Sequence, residues 1–145
     1  MRAAGSMDTT IIDIAKFAAC YIRGDGLRPA RRAALVRLQL LIKTLTQFPT
    51  LQAEQATEPF AAISSALGVV AFHGPQGAAF FKGGHNDTTA NTWVCVEASK
   101  RCVVLLSNDV RAEAAFPAIV RSIFGETGVP WRWEYGDVPF WSSNN

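Results

Sequence analysis

Residues 92–107 read TWVCVEASKRCVVLLS, and they determine the fold class. Two valine-rich segments, 92–97 and 102–107, flank the more polar residues 98–101. Short runs rich in β-branched residues favour strands, and a connection of this length suits a hairpin. The stretch therefore predicts two antiparallel strands joined by a tight turn.

Two further strands are predicted before this hairpin. Residues 67–72 form a short apolar run that contains valines, and residues 78–82 are again mostly apolar. Between them, residues 74–77 read GPQG, and glycine and proline in this arrangement mark a tight turn. The sequence thus predicts an antiparallel sheet of about four strands.

Helical patterns precede and follow the predicted strands. Residues 11–21 place apolar side chains on one face, and a Thr-x-x-Asp capping pattern lies at their start. Pro29 suits the first turn of a second helix that extends to about residue 36. A final helix is predicted over 111–124, where Pro117 favours a kink or a later start. Helices before and after an antiparallel sheet predict an α+β fold.

A single domain is expected, because 145 residues are enough to enclose one hydrophobic core. The irregular stretch between the second helix and the first strand contains Pro49 and Pro59, and we predict an extended connection there. The predicted order is a helical part at 1–37, an extended connection at 38–65, strands with a closing helix at 66–125, and an aromatic tail at 126–145.

Composition and charge argue against two classes of partner. Hydrophobic residues make up 49% of the chain and the formal charge is +2, as in a folded domain. No apolar run reaches the ~20 residues of a membrane span, and the first residues lack a signal-peptide pattern. Arg28, Arg31, Arg32 and Arg37 have helical spacing, which is typical of a solvated helix face. We therefore expect neither a membrane span nor a nucleic-acid partner.

The cysteines and histidines suggest little metal chemistry. The three cysteines, Cys20, Cys95 and Cys102, lack the Cys-x-x-Cys spacing of zinc and redox sites. Cys95 and Cys102 fall on neighbouring strands of the predicted hairpin and are expected to be close, but two buried thiols are the favoured interpretation. The two histidines, His73 and His85, are too few for a metal cluster. We therefore predict no metal site and no cofactor.

Residues 80–87, FFKGGHND, contain the candidate binding residues. A lysine at the end of an apolar strand, followed by two glycines, lets a ligand backbone approach beside a fixed positive charge. The alternative is an edge-strand lysine that discourages aggregation, followed by a loose loop. These residues alone do not distinguish the two.

Three segments resemble one enzyme family. Residues 4–17, AGSMDTTIIDIAKF, resemble a segment of class C β-lactamases, related esterases and D-aminopeptidases, which belong to the serine β-lactamase and penicillin-binding hydrolase group. Lys82-Gly83-Gly84 resembles the third motif of that group, usually KTG or HTG. Residues 93–108 resemble its strand pair that ends in VVLLTN. The resemblance covers roughly residues 3–125, in the family's order, and implies the C-terminal part of a β-lactamase-like fold.

The resemblance implies roles for four residues. Lys82 would anchor a substrate carboxylate, and Gly83 and Gly84 would leave room for substrate beside the strand. The backbone N–H of His85 would be one of two oxyanion-hole donors. Gly83 stands where the family usually has threonine, so an esterase or a peptidase is as well supported as a penicillin-type enzyme.

Two family motifs are missing from the sequence. No serine is followed by lysine three residues later, and neither Tyr21 nor Tyr135 begins a Tyr-x-Asn motif. Ser142-Ser143-Asn144 has Ser-x-Asn spacing, which we interpret as coincidence. Because nucleophile and base act as a unit, we assign no catalytic residue in this chain and expect it to be inactive alone.

Three interpretations remain open: a fragment of a serine hydrolase that needs an N-terminal partner, a non-catalytic ligand-binding or assembly module, and an independent enzyme of other chemistry. The expected partners are a complementing N-terminal fragment or a second copy of the chain, most simply in a two-fold dimer. A small molecule or peptide is the expected substrate. The resemblance suggests a periplasmic or secreted protein, while the sequence itself assigns no compartment.

Overall fold

The protein contains one antiparallel sheet with helices on both faces. The computed structural model describes residues 8–48 and 63–139. In these ranges the sheet has six strands in sequential order: β1 (Leu40–Leu41), β2 (Ser64–Ser65), β3 (Val70–Gly74), β4 (Gly77–His85), β5 (Ala90–Val96) and β6 (Arg101–Ser107). The helices are α1 (Ile11–Arg23), α2 (Pro29–Val36), α3 (Phe116–Phe124), which follows a 3-10 helix (Val110–Ala115), and α4 (Trp131–Tyr135). The α+β class is confirmed.

Six strands replace the predicted four, because two very short strands extend the sheet at one edge. Strands β1 and β2 lie in the stretch predicted as an extended connection, and each has two residues. Leu40 pairs with Ser65, and the N–H of Gln39 donates to Ser65 O at 3.0 Å. Strands this short leave no periodic pattern in a sequence, so only the tertiary pairing defines them. The four predicted strands correspond to β3–β6.

The predicted start of the first long strand was wrong. Strand β3 begins at Val70 instead of residue 67. Gly68 has φ +88°, in the left-handed region, and the N–H of Ala66 donates to Val69 O at 2.9 Å. The apolar run therefore begins with a turn that glycine permits.

The helices lie close to their predicted positions. The Thr10 hydroxyl accepts a hydrogen bond from the N–H of Asp13 at 3.2 Å and caps α1. Helix α1 ends at Gly24, whose φ is 74°. Pro117 occupies the first turn of α3, so the late-start alternative is the observed one.

The core is divided by the sheet into two layers. Phe80 and Phe81 are both fully buried, and their side chains lie on opposite faces of β4. Phe80 packs with Ile22 of α1, whereas Phe81 packs with Val120 of α3 and Trp133 of α4. Because both faces are covered, the central strands are continuously apolar instead of alternating.

The prediction of buried free thiols was wrong for the hairpin cysteines, because Cys95 and Cys102 form a disulfide. The two residues are directly opposite in the β5–β6 register, and their Cα atoms are 4.1 Å apart. Opposed residues of antiparallel strands bring their Cβ atoms close enough for this bond. Cys20 is free and exposed.

The predicted aromatic tail contains a helix that sequence patterns did not indicate. Helix α4 has five residues, and Trp133, Glu134 and Tyr135 are buried against the sheet. Three ranges lie outside the described residues: 1–7, 49–62 and 140–145. They include parts of the family-like segment, of the connection and of the tail, with Phe140, Trp141 and the Ser-x-Asn spacing. Among the described helices, none has the length and apolar character to cross a bilayer.

Candidate functional site

Strand β4 extends beyond the strand beside it, which leaves part of its edge open. Pairing with β3 stops at Val70, opposite Phe81, whereas pairing with β5 continues as far as His85. Within the described sheet, residues 82–85 therefore pair with a neighbouring strand on the β5 side only. Their other side faces a cleft.

The backbone groups of Gly83 and His85 point into this cleft. Gly77 follows the two-residue turn and pairs with β3. Alternate residues of an antiparallel strand bond to opposite neighbours, and the N–H of Glu97, beyond β5, donates to Ala78 O at 3.0 Å. Gly83 and His85 each lie an even number of positions after Gly77, so their backbone groups point to the same side of β4 as those of Gly77, away from β5. Their N–H and C=O groups therefore face the open edge.

Lys82 places a cation beside this edge. Its Nζ donates a hydrogen bond to Gly83 O at 2.9 Å. The ammonium is also close enough to the Glu134 carboxyl to favour the charged form of that group. A ligand carboxylate entering the cleft would thus meet a charged donor next to outward-facing N–H groups.

Gly83 is in tight contact with α4. A Cβ at this position would collide with Glu134 Oε1 and would lie 2.7 Å from Tyr135 Oη. A side chain fits there only if the Glu134 and Tyr135 side chains shift. A Cβ at Gly84 would lie 3.4 Å from the nearest side-chain atom of Asn91, an ordinary contact. The predicted room for a substrate beside β4 is therefore limited to the open edge of the strand, because α4 covers the face of the sheet at Gly83.

The ring of His85 is hydrogen-bonded to a buried acid. Its Nδ1 contacts Oε1 of Glu113, whose side chain is 5% exposed, whereas the His85 side chain is 39% exposed to the cleft. The 3-10 helix carries Glu113, and the Asp109 side chain caps that helix by accepting from the N–H of Arg111 at 3.0 Å. The imidazole ring also lies 6.0 Å from the ring of Tyr135.

Helix α4 supplies two buried ionisable groups. Burial raises the pKa of the Glu134 carboxyl, the positive charges of Lys82 and His85 oppose this shift, and the negative charge of Glu113 adds to it. Burial also raises the pKa of the Tyr135 hydroxyl, which donates to Asn91 O at 3.1 Å. The base of the cleft thus favours neutral forms of both groups.

The opposite wall of the cleft comes from the segment after β1. The N–H of Gln47 donates to Trp133 O at 2.7 Å, which ties this segment to α4. Phe48 is 58% exposed and lines the cleft together with Gln47. The cleft has a volume of about 680 Å³, within the range of small-molecule sites.

All four candidate residues from the sequence line this one cleft: Lys82, Gly83, Gly84 and His85. The structure brings them together, while their roles stay predictions. Sequence reasoning missed Glu113, Glu134 and Tyr135. Glu113 and Tyr135 lie 28 and 44 residues from the partners to which they are hydrogen-bonded, and no short motif includes them.

The chemistry of the cleft is that of anion binding and proton transfer. It combines an ammonium, outward-facing N–H groups and an imidazole–carboxylate pair. Its described lining includes no serine or cysteine that would act as a nucleophile. No group of three metal-ligating side chains occurs in the part of the chain that the structure describes.

Comparison of the chain with known proteins found no matching family model, no matching curated protein and no matching solved structure.

Proposed function

We propose that this chain is the substrate-binding, C-terminal part of a serine hydrolase related to class C β-lactamases. In the proposed reaction an acyl group passes from an amide, a β-lactam or an ester to water. A separate N-terminal part supplies the Ser-x-x-Lys and Tyr-x-Asn motifs, and without it the chain is inactive.

The observation that carries the proposal is the open edge of β4. Gly83 and His85 direct N–H groups into the cleft, and Lys82 holds its ammonium beside them. This combination suits a substrate that lies along the strand with its carboxylate on Lys82 and its carbonyl oxygen on the N–H of His85. The resemblance of Lys82-Gly83-Gly84 to the third family motif implies these roles for Lys82 and for His85, the residue that follows the motif.

A second candidate is a non-catalytic ligand-binding or assembly module. It is favoured by a cleft that forms in a sequence without the nucleophile motif. In this alternative, Lys82 holds a ligand and no acyl transfer follows.

The expected partners and compartment follow from the same proposal. The chain pairs with a complementing N-terminal part or with a second copy of itself. The Cys95–Cys102 disulfide supports a periplasmic or secreted location, because such bonds persist in oxidising compartments.

The proposal is tested by titrating the ¹⁵N-labelled chain with benzylpenicillin, which has a free carboxylate, and with its methyl ester, which has none. We expect the amide signals of Gly83 and His85 to shift with the acid. The methyl ester should bind at least about tenfold more weakly, because a charge-assisted hydrogen bond contributes roughly 1.5–3 kcal/mol.

Lys82→Ala should reproduce the effect of the methyl ester, with stability changed by only ~0.5 kcal/mol. Lys16→Ala is the matched control, because Lys16 lies on α1 with its side chain 72% exposed. If the Lys82 variant binds as the unaltered chain does, the proposed carboxylate site is refuted. The interpretation of Lys82 as a lysine that discourages aggregation at a strand edge is then favoured.

Acyl transfer separates the two candidates. Mass spectrometry of the isolated chain should show no acyl-enzyme with a chromogenic β-lactam or a p-nitrophenyl ester. Addition of an N-terminal part that carries both motifs should produce one. If binding is observed and this addition never yields an acyl-enzyme, the non-catalytic module is the correct description.

A further inference from the structure

His85 presents one fixed ring nitrogen and one free ring nitrogen. Nδ1 is paired with Glu113, whereas Nε2 has no hydrogen-bond partner among the described residues. The ring forms part of the cleft wall. A ligand that enters the cleft would therefore meet this ring beside the open edge of β4.

The pairing with Glu113 selects the tautomer of His85. An ionised carboxylate only accepts hydrogen bonds, so Nδ1 carries the proton of this pair whenever the Glu113 carboxyl is ionised. In the neutral imidazole, Nε2 then has a free lone pair. The ring of Tyr135, 6.0 Å away, and the buried position of Glu113 limit rotation of the imidazole.

We propose that His85 is an acid–base residue of the cleft, with Nε2 as the proton acceptor, and that Glu113 is its positioning residue. This inference rests on the proposed function and adds to it a group that the family motifs do not contain. Among the described residues, the cleft has four other ionisable groups: Lys82 on the same strand, Asp87 in the following loop, and Glu134 and Tyr135 on α4.

The step assigned to His85 is hydrolysis of the serine ester that the proposed reaction forms. Nε2 takes one proton from a water molecule while the water oxygen forms a bond to the acyl carbon. The carbonyl π electrons move to the carbonyl oxygen, which the N–H of His85 binds. When these electrons form the carbonyl double bond again, the bond to the serine oxygen breaks. The proton passes from Nε2 to the serine oxygen, and the acid is released.

The tautomer is measured on the isolated chain, without any turnover. Long-range ¹H–¹⁵N spectra, recorded at a pH where the imidazole is neutral, should show the His85 proton on Nδ1 and a lone pair on Nε2. The other histidine, His73, is exposed on β3 and serves as the internal reference, and His73→Gln assigns the signals. Glu113→Gln should shift His85 toward the tautomer mixture of His73, whereas Glu126→Gln, at an exposed surface pair, should leave it unchanged.

The catalytic step is measured in the chain complemented by an N-terminal part. His85→Gln should slow hydrolysis of the acyl-enzyme, and hence kcat, by at least about tenfold, since general acid–base catalysis contributes roughly 10²–10⁴-fold. Formation of the acyl-enzyme should be slowed less than its hydrolysis, because the variant keeps the backbone N–H of residue 85.

The outcomes separate this inference from the proposed function. If His85 carries its proton on Nε2, or if the His85 variant hydrolyses the acyl-enzyme at the unaltered rate, the inference is overturned, although benzylpenicillin still binds. If the Nδ1–H tautomer is found and benzylpenicillin does not bind at β4, the proposed function is overturned and the assigned state of His85 stands.

Discussion

The carboxyl group of Glu134 occupies the space beside β4 that a side chain at position 83 would fill, and only the absence of a Cβ on Gly83 permits this contact. Any side chain at position 83 would require the Glu134 carboxyl and the Tyr135 hydroxyl to shift. Gly83 and the buried side chains of α4 therefore depend on each other.

Gly83→Ala should destabilise the protein by about 1–3 kcal/mol, because the new methyl group displaces the buried Glu134 carboxyl and Tyr135 hydroxyl. Urea unfolding measures the effect. Gly84→Ala is the matched control on the next residue of β4, where a Cβ would make an ordinary contact with Asn91. Equal stability of the two variants would show that α4 is not packed against Gly83 as described.

Glu134→Gln should change the pH dependence of stability. Burial raises the pKa of the Glu134 carboxyl above its ordinary value of 4.5, so the folded state binds a proton at Glu134 more tightly than the unfolded state does. The resulting stabilisation is fully present at low pH. That stability is lost as pH rises through the folded-state pKa. Glutamine is neutral throughout, so the stability of the variant relative to the unaltered chain should increase as the pH rises from about 4 through the folded-state pKa of Glu134.

Urea unfolding at several pH values gives this difference directly. Glu126→Gln is the control, since the Glu126 side chain is 61% exposed. The prediction is contradicted if the stability difference between the Glu134 variant and the unaltered chain does not change with pH.

The long strands and helices were predictable because their signals are local. The β5–β6 hairpin follows from two valine-rich runs and a short polar connection, and α1 follows from its apolar face and its Thr10 cap. Strand β1 was not predictable, since two residues carry no period. The disulfide depended on the register of β5 and β6, which places Cys95 opposite Cys102.

The candidate site was predictable only in part, for a similar reason. Lys82 and His85 lie in one short stretch, which draws attention to it. Glu113 and Tyr135 reach the cleft only through the packing of the 3-10 helix and α4 against the sheet. A partner that is distant in sequence and has no characteristic spacing cannot be found without the fold.

Reduction of the Cys95–Cys102 disulfide should lower stability by about 2 kcal/mol, because the bond closes a short loop of the unfolded chain. The comparison is best made in a Cys20→Ser background, which removes the exposed free thiol. Urea unfolding with and without reductant measures the difference. Identical unfolding curves, with mass spectrometry confirming reduction, would show that the bond contributes little.

Self-association is the last prediction, and it follows from surfaces that the described residues leave uncovered. Ile12 and Phe17 on α1 are 63% and 53% exposed, and Leu40 on the edge strand β1 is 69% exposed. Exposed apolar patches and open sheet edges are usually covered by a partner. We therefore expect a two-fold dimer, with light scattering at micromolar concentration giving about twice the 15.7 kDa chain mass.

The alternative to this dimer is a monomer in which the C-terminal aromatic residues cover the exposed apolar surface themselves. Trp133 and Tyr135 do pack against the sheet, but on the face opposite α1, so they leave Ile12 and Phe17 exposed. Ile12→Asp should therefore convert the dimer to a monomer. Ile123→Asp, at a 41% exposed position on α3, should not. A mass of ~16 kDa for the unaltered chain, without binding of a hydrophobic dye, would exclude the dimer and favour the independent module.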